Sequence, residues 1–314
     1  MIVLKRMNVP LYSSKYSKKT YTVHQHLLCL CIKEIQQQSY RSCRDFIDDF
    51  EKLQEILVLN KVPHFTTLQK SLQRFPPRWY KTILKRLIQL LKSKANAVID
   101  GTGIMQTTAS TSYIRRIKRH VKQREFFKII LVIDPDDGFI LTCHGTHGHR
   151  HESPFFIQLF EDIPFELSEI CGDKGFDSEK NQRYVMKQRH ARSYVDVRDI
   201  PKRGRYRKKT YRQKQELQWK QRYKKMRNII ESKNFSFKHQ FGDYIPGKNI
   251  HNRRRYLAIR IMAMNLITLQ KSEKILFFKF ISLEVFYTPP QYGYCVKGSW
   301  ENNGGNLTLV SIKK

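Results

Sequence analysis

The sequence predicts an α/β protein: a mixed sheet flanked by helices, preceded by an all-α region of helix-turn-helix-like character. Three observations predict it. Apolar residues recur at helical spacing through residues 19–90, β-rich runs begin near residue 94, and further strands then alternate with helical stretches. At 314 residues and 40% hydrophobic content, the chain can bury a substantial core and form two domains.

In the N-terminal part, Val23, Leu27, Cys31 and Ile35 recur every four residues, an apolar helical stripe. A second helix carries Cys43, Phe46, Ile47, Phe50, Leu53 and Leu57 in the same way. Pro63 ends the connection. TTLQKSLQRF (66–75) opens a further helix with Thr66 and Gln69 at capping-box spacing, closed by Pro76-Pro77. Packed on a preceding helix, it would carry Gln69, Lys70, Gln73 and Arg74 on its polar side, as a DNA-reading helix does. The plainer alternative is the solvated face of a helical bundle.

The texture then changes. ANAVID (95–100), FFKIILVID (126–134) and GFILTCH (138–144) read as strands, with the turn DPDDG joining the last two. A helical segment at 153–162, a strand at SEIC (168–171), a helix over SEKNQRYVMKQ (178–188) and a strand at ARSYVDV (191–197) follow. Residues 253–270 read as an amphipathic helix with a basic start, and the tail from about 275 is apolar, then rich in Gly and Asn. The expected organisation is a helical DNA-binding region (1–90), a catalytic-type domain (91–272) with a basic insertion around 200–227, and a tail (273–314).

Charge narrows the function. With 59 Lys and Arg against 27 Asp and Glu, the net charge is +32, so an anionic partner is expected. Nucleic acid leads and an anionic membrane surface is the alternative; no apolar run approaches the ~20 residues that span a bilayer. The N-terminus has no apolar stretch of the secretory type. Cys29, Cys31, Cys43, Cys143, Cys171 and Cys295 show no C-x-x-C pair and read as reduced, mostly buried thiols. A cytoplasmic, nucleoid-associated protein is expected. The segment KRGRYRKKTYRQKQELQWKQRYKKMR (202–227) holds thirteen Lys or Arg, Lys208, Lys209 and Arg212 among them, and one acid, Glu216. Tyr206, Tyr211, Trp219 and Tyr223 are interleaved. Phosphate neutralisation beside aromatic stacking is what a nucleic-acid surface requires.

Three carboxylates carry the chemistry. Asp100 is expected at the end of its strand, before GTG, and Asp173 follows a short strand in the same way, before KGF. Carboxylates at strand ends sit at an exposed edge, where open α/β sheets bind ligands. Glu231 is the third, on a helix with Arg227 four residues before and Lys238 seven after, all on one face. Taken singly, Asp173 could cap the next helix and Glu231 could be half of an i,i+4 ion pair with Arg227.

Taken in order, VIDGTGI, GDKGFDS and Arg-x3-Glu-x6-Lys resemble the DDE-class insertion-sequence transposases of bacteria and archaea, in the group with a Tyr-Arg-Glu-Lys signature. The chain departs at the tyrosine: Lys224 stands at the expected position and Tyr223 one residue earlier. RHESPFF (150–156) resembles the His-Asp-Ser element of these enzymes, with Glu152 in place of Asp, making His151 and Glu152 auxiliary candidates. Similarity extends over roughly residues 20–270, including VPHFTTLQKSLQRFPP.

The resemblance implies an RNase H-like catalytic domain and two Mg²⁺ ions, with Mn²⁺ able to substitute. Asp100 and Asp173 would bridge or flank the ions and Glu231 would hold the second, for in-line displacement at phosphorus. The same site would nick an element end and join its 3′-hydroxyl to target DNA. Arg227, Lys238 and Lys174 would take phosphates. The partners implied are double-stranded DNA, both terminal inverted repeats and target, and further copies of the chain as a homodimer or larger assembly. Two rivals remain: a zinc site among His144, His147, His149 and His151, against a DNA-contacting loop beside the active site; and an inactive, domesticated DNA-binding relative.

Overall fold

The structure, a computed structural model, describes residues 9–74, 77–106, 126–196, 219–271, 298–303 and 306–312, with single positions 116 and 211. Lys208, Lys209 and Arg212 lie outside the described residues, as do the side chains of Trp219, Tyr223 and Lys224. Residues 1–274 form one compact unit. A second unit, 275–314, contains an antiparallel pair, β6 (Gly298–Asn303) and β7 (Asn306–Ile312).

Among the described residues, the first unit opens with α1 (Val23–Ile35), α2 (Tyr40–Asp49), α3 (Glu51–Leu57), α4 (Phe65–Arg74) and α5 (Pro77–Leu91). Thr22 and Gln25 form a capping box on α1, and Ser39 caps α2. The single helix expected over 43–57 is two, because Phe50 takes φ −116°, ψ 86°, outside the helical region. Its stripe survives the break: Cys43, Ile47, Leu53 and Leu57 share a core with Cys29 and Leu68. The capping box expected at Thr66 is not formed. Helix α4 begins one residue earlier, at Phe65, and the Thr66 hydroxyl lies 2.9 Å from His64 Nδ1. Pro77 opens α5 at the one helical position that tolerates proline well.

The sheet has the order β3-β2-β1-β4-β5, built from β1 (Lys94–Met105), β2 (Phe126–Ile133), β3 (Ile140–His147), β4 (Glu166–Gly172) and β5 (Arg192–Val195). β1, β2 and β3 pair antiparallel; β4 and β5 add in parallel on the other side of β1. This is the expected mixed sheet, preceded by the expected helical region. β1 runs five residues beyond the predicted ANAVID, because β2 continues to pair with it as far as Met105↔Phe126. Asp100 is therefore a mid-strand residue rather than a strand end.

Helix α6 (Phe156–Glu161) follows a 3₁₀ turn at Ser153–Phe155, and α7 (Glu179–Lys187), capped by Ser178, packs on β5. Two long helices complete the unit. α8 (Trp219–Phe241) lies against β1, β4 and β5, while α9 (Ile250–Lys271) packs on α1, α5 and β3. α9 is not amphipathic in place. Residues 259–265 are all buried, since neighbours cover several of its faces. Asn265 shows how it docks: its carboxamide both accepts from Ile140 N–H and donates to Ile140 C=O, filling the irregularity where β3 shifts register on β2.

A buried ionic cluster joins α1 to α9. Glu34 accepts from Arg260 at 2.7 Å and from Lys33 at 2.8 Å, and Arg260 also donates to Tyr244 C=O at 2.7 Å. The Tyr40 and Tyr256 hydroxyls meet beside it at 3.0 Å. The five described cysteines are free and buried. No described helix is long and apolar enough to cross a membrane.

Arg260→Ala would leave the Glu34 carboxylate buried beside Lys33 alone, and should cost about 3–5 kcal/mol, read as a lowered denaturant midpoint. Burial raises the Glu34 pKa, but the charges and hydrogen bonds of Lys33 and Arg260 outweigh it and hold the carboxyl below its ordinary value. Its contribution to stability is therefore complete above the usual glutamate pKa of about 4.3 and is lost as pH falls through the folded value. Unfolding midpoints measured from pH 7 down to pH 3 should fall less steeply in Arg260→Ala than in the unsubstituted protein.

Candidate active site

The parallel ladder between β1 and β4 ends at the pair Ile99↔Gly172. The next residue on each strand is an aspartate, so Asp100 and Asp173 stand side by side, about one inter-strand spacing (~4.8 Å) apart at the backbone. β1 continues beyond this point against β2, whereas β4 turns away into the 3₁₀ turn Lys174–Phe176. Asp173 is extended (φ −76°, ψ 168°) and its side chain does not cap that turn. Phe176 is fully buried and anchors the turn. Asn181 then ties this segment to the loop before α6, donating to Phe176 C=O at 2.8 Å and to Ser153 Oγ at 3.0 Å.

Helix α8 crosses above the pair. Met226 packs its sulfur 3.0 Å from that of Cys171, and Ile230 is buried, which sets the rotation of the helix. Arg227, Glu231, Asn234 and Lys238 then fall on one face at helical spacing. A cavity of about 120 Å³ is lined by Val98, Ile99, Asp100, Asp173, Arg227, Ile230 and Glu231. Glu231 lies at its rim, half-exposed, with Oε1 accepting from Arg227 Nε at 2.7 Å. The i,i+4 pair and the position beside the aspartates thus coexist. Among the described residues no three Asp, Glu, His or Cys side chains are gathered closely enough in this conformation to hold a metal ion.

Electrostatics mark Asp100 as the strained member. Burial first, then repulsion from Glu152, Asp173 and Glu231, pushes it up to about 6, against a lowering by the Gly101 N–H. Glu152 closes the site from another side. It pairs with Lys128 at 3.1 Å, and its carboxylate packs over Gly101, where any Cβ would collide with it.

The remaining sequence candidates lie as follows. Lys238 is partly buried on the α8 face that carries Glu231, and Lys174 reaches Asp196 at 3.9 Å. Gln69, Lys70, Gln73 and Arg74 are exposed on one side of α4. His151 is exposed. The histidine run does not form a loop: His144 and His147 belong to β3, two strands from β1. His144 stacks on Phe155 at 4.2 Å, and burial, followed by the charges of Arg254, Lys81 and Arg150, lowers it to about 4. His147 and His149 stack on each other at 6.0 Å. Asn234 has no sequence prediction; its side chain donates to Asp100 Oδ2 at 2.8 Å. Its place three residues after Glu231, on the same helical face, marks it only once Asp100 is seen to lie opposite.

The sequence pattern of the transposase DDE domain family matches residues 93–266. No curated protein matches the chain. Among solved structures, a cryo-EM structure of the piggyBac transposase synaptic complex with hairpin DNA is similar over 87% of this chain and 72% of that chain, with 10% identity and a TM-score of 0.38. The family match spans more than half of the chain. The chain belongs to the transposase DDE domain family and is a DNA transposase.

Two glycines separate packing from carboxylate placement. A Cβ at Gly172 would come 2.9 Å from Ile99 Cγ2, inside a fully packed core, whereas one at Gly101 would meet only the end of the Glu152 side chain. Gly172→Ala should lower unfolding free energy by about 1–3 kcal/mol, and Gly101→Ala by less than about 1 kcal/mol, in parallel denaturant titrations.

Proposed function

We propose that this transposase cuts the ends of an insertion element and joins them to target DNA through phosphoryl transfer at Asp100, Asp173 and Glu231. The observation that carries the proposal is the end of the β1–β4 ladder, which sets two aspartates side by side beneath a helix that brings Glu231 to the same cavity. Family membership implies dependence on a divalent metal. The donor set fits one: all carboxylate oxygens, the ligands Mg²⁺ and Mn²⁺ prefer, with Asp100 desolvated among like charges. Two such ions would supply activation of water or a 3′-hydroxyl and stabilisation of the departing oxygen.

The chain's own residues do the rest. Asp100 and Asp173 form the fixed part of the site, since β1 and β4 hold their backbones. Glu231 joins them by leaving Arg227, whose guanidinium then turns to a DNA phosphate. Lys238 extends that cationic line along α8, and Lys174 adds to it beside Asp173. Glu152 and His151 act as auxiliary groups at the rim. The exposed face of α4, with Gln69, Lys70, Gln73 and Arg74, reads the element end, and Lys208, Lys209 and Arg212 neutralise backbone phosphates. Residues 1–90 serve recognition, 91–272 catalysis, and two or more copies assemble on DNA in the bacterial or archaeal cytoplasm, at the nucleoid.

The purified protein should cut DNA carrying its element ends with Mg²⁺ or Mn²⁺ and fail to do so with EDTA. Asp100→Asn, Asp173→Asn and Glu231→Gln should each lower cutting by at least about 10³-fold while DNA affinity stays within a few-fold. Full activity in any one of them removes that residue from the triad. Binding should also weaken steeply between 50 and 200 mM salt, and replacing Lys208, Lys209 and Arg212 together should lower the slope of log K against log salt by about 3.

A further inference from the structure

We infer that Asn234 is the positioning residue of Asp100, an inference that rests on the reading of Asp100 as a metal-binding acid. Asn234 lies on α8, three residues after Glu231, and is 7% exposed. Its Nδ2 donates to Asp100 Oδ2 at 2.8 Å. An ionised carboxylate only accepts hydrogen bonds, so the amide must present its NH₂ group there, and its orientation is fixed. That leaves Asn234 Oδ1 buried beside the site, without a hydrogen-bond partner among the described residues.

Packing alone does not account for this side chain. A leucine has the same branched heavy-atom skeleton, though bulkier, and would leave no buried oxygen unsatisfied, so the amide carries a desolvation cost that hydrophobic filling avoids. What the amide does is chemical. A neutral donor on Oδ2 locks the carboxylate's rotation yet leaves its charge available. Lysine or arginine at the same place would lock it too, but would neutralise it and compete with a cation. Asn234 Oδ1 is in turn the matching acceptor for a water, of which Mg²⁺-like ions retain several. The register of α8 makes the same helix deliver both the third acid and the group that aims the first.

The test uses the full chain and Mn²⁺ as probe, with free Mn²⁺ followed by electron paramagnetic resonance. Asn234→Leu should weaken Mn²⁺ binding by about 10–100-fold, as loss of an outer hydrogen bond to a metal ligand does. DNA affinity should stay within about two-fold, and excess Mn²⁺ should restore part of the single-turnover cutting rate, an effect a merely structural role does not produce. Asn234→Leu that folds and binds Mn²⁺ with unchanged affinity, while Asp100→Asn loses binding, overturns the role of Asn234 alone. Asp100→Asn with unchanged Mn²⁺ affinity overturns the metal reading of Asp100, and this inference with it. Should Asn234→Leu fail to fold by circular dichroism, Asn234→Ser, which keeps a short donor, is compared with Asn234→Ala. Serine should then bind Mn²⁺ more tightly than alanine; both at the unsubstituted affinity overturns the inference.

Discussion

The site depends on where one parallel ladder stops. β1 is held on both sides as far as Ile99, then by β2 alone until Met105 bridges to Tyr244, because β4 leaves after Gly172. That one-sided release does two things at once. It opens space beside Asp100 in the middle of the sheet, and it sets Asp173 next to that space at a fixed spacing. A ladder one residue longer would pair the aspartates into the sheet, and one residue shorter would separate them. The close approach of Gly172 to Ile99 is part of the same constraint, since β1 and β4 could not meet there with a side chain in between.

Helix α8 answers the second requirement, a third group delivered from outside the sheet. Its rotation is set by apolar contacts, Met226 on Cys171 and Ile230 in the core, and the polar residues follow from helical spacing. α9 holds the opposite kind of interaction. It is buried on several faces and is tied to α1 through Glu34 and Arg260, so the N-terminal helices share one packed unit with the sheet. A buried ion pair adds little net stability over a hydrophobic contact, but breaking it is costly, and it specifies which helix faces meet.

Local pattern made most elements legible. The period-two and continuous apolar runs located all five strands of the sheet, and the helical stripes located α1, α2 with α3, and α4. The errors share a cause, which is that partners decide boundaries. β1 overran its prediction because β2 keeps pairing with it through Gly101 and Gly103. The helix over 43–57 broke at Phe50, although its apolar spacing continues across the break. α9 looked amphipathic because Arg253, Arg254 and Arg255 open it, but packing on α1, α5 and β3 buries residues 259–265 on every face. The three proposed acids could be read as a set through their order and separations, and Asp100, Asp173 and Glu231 line one cavity. Asn234 could not be read so: an asparagine in a helix has no meaning until the residue it faces, 134 positions earlier, is known.

The charges of the chain then form a single problem. A net charge of +32 draws DNA to the surface, yet the proposed site gathers Asp100, Asp173, Glu231 and Glu152. A phosphate brought to within about 5 Å of an uncompensated carboxylate is repelled by something on the order of 3 kcal/mol at an effective dielectric near 20. Long-range attraction and local repulsion therefore oppose each other. In the free protein Arg227 offsets part of the local charge by holding Glu231. Asp100, bonded to the neutral Asn234, gains no such offset from that partner. The burden of compensation consequently falls on the one acid that is most desolvated and held by a neutral amide, which is where a divalent cation gains most. At the proposed site, cation and DNA phosphate would then favour each other's binding, because each removes the repulsion that the other would meet alone.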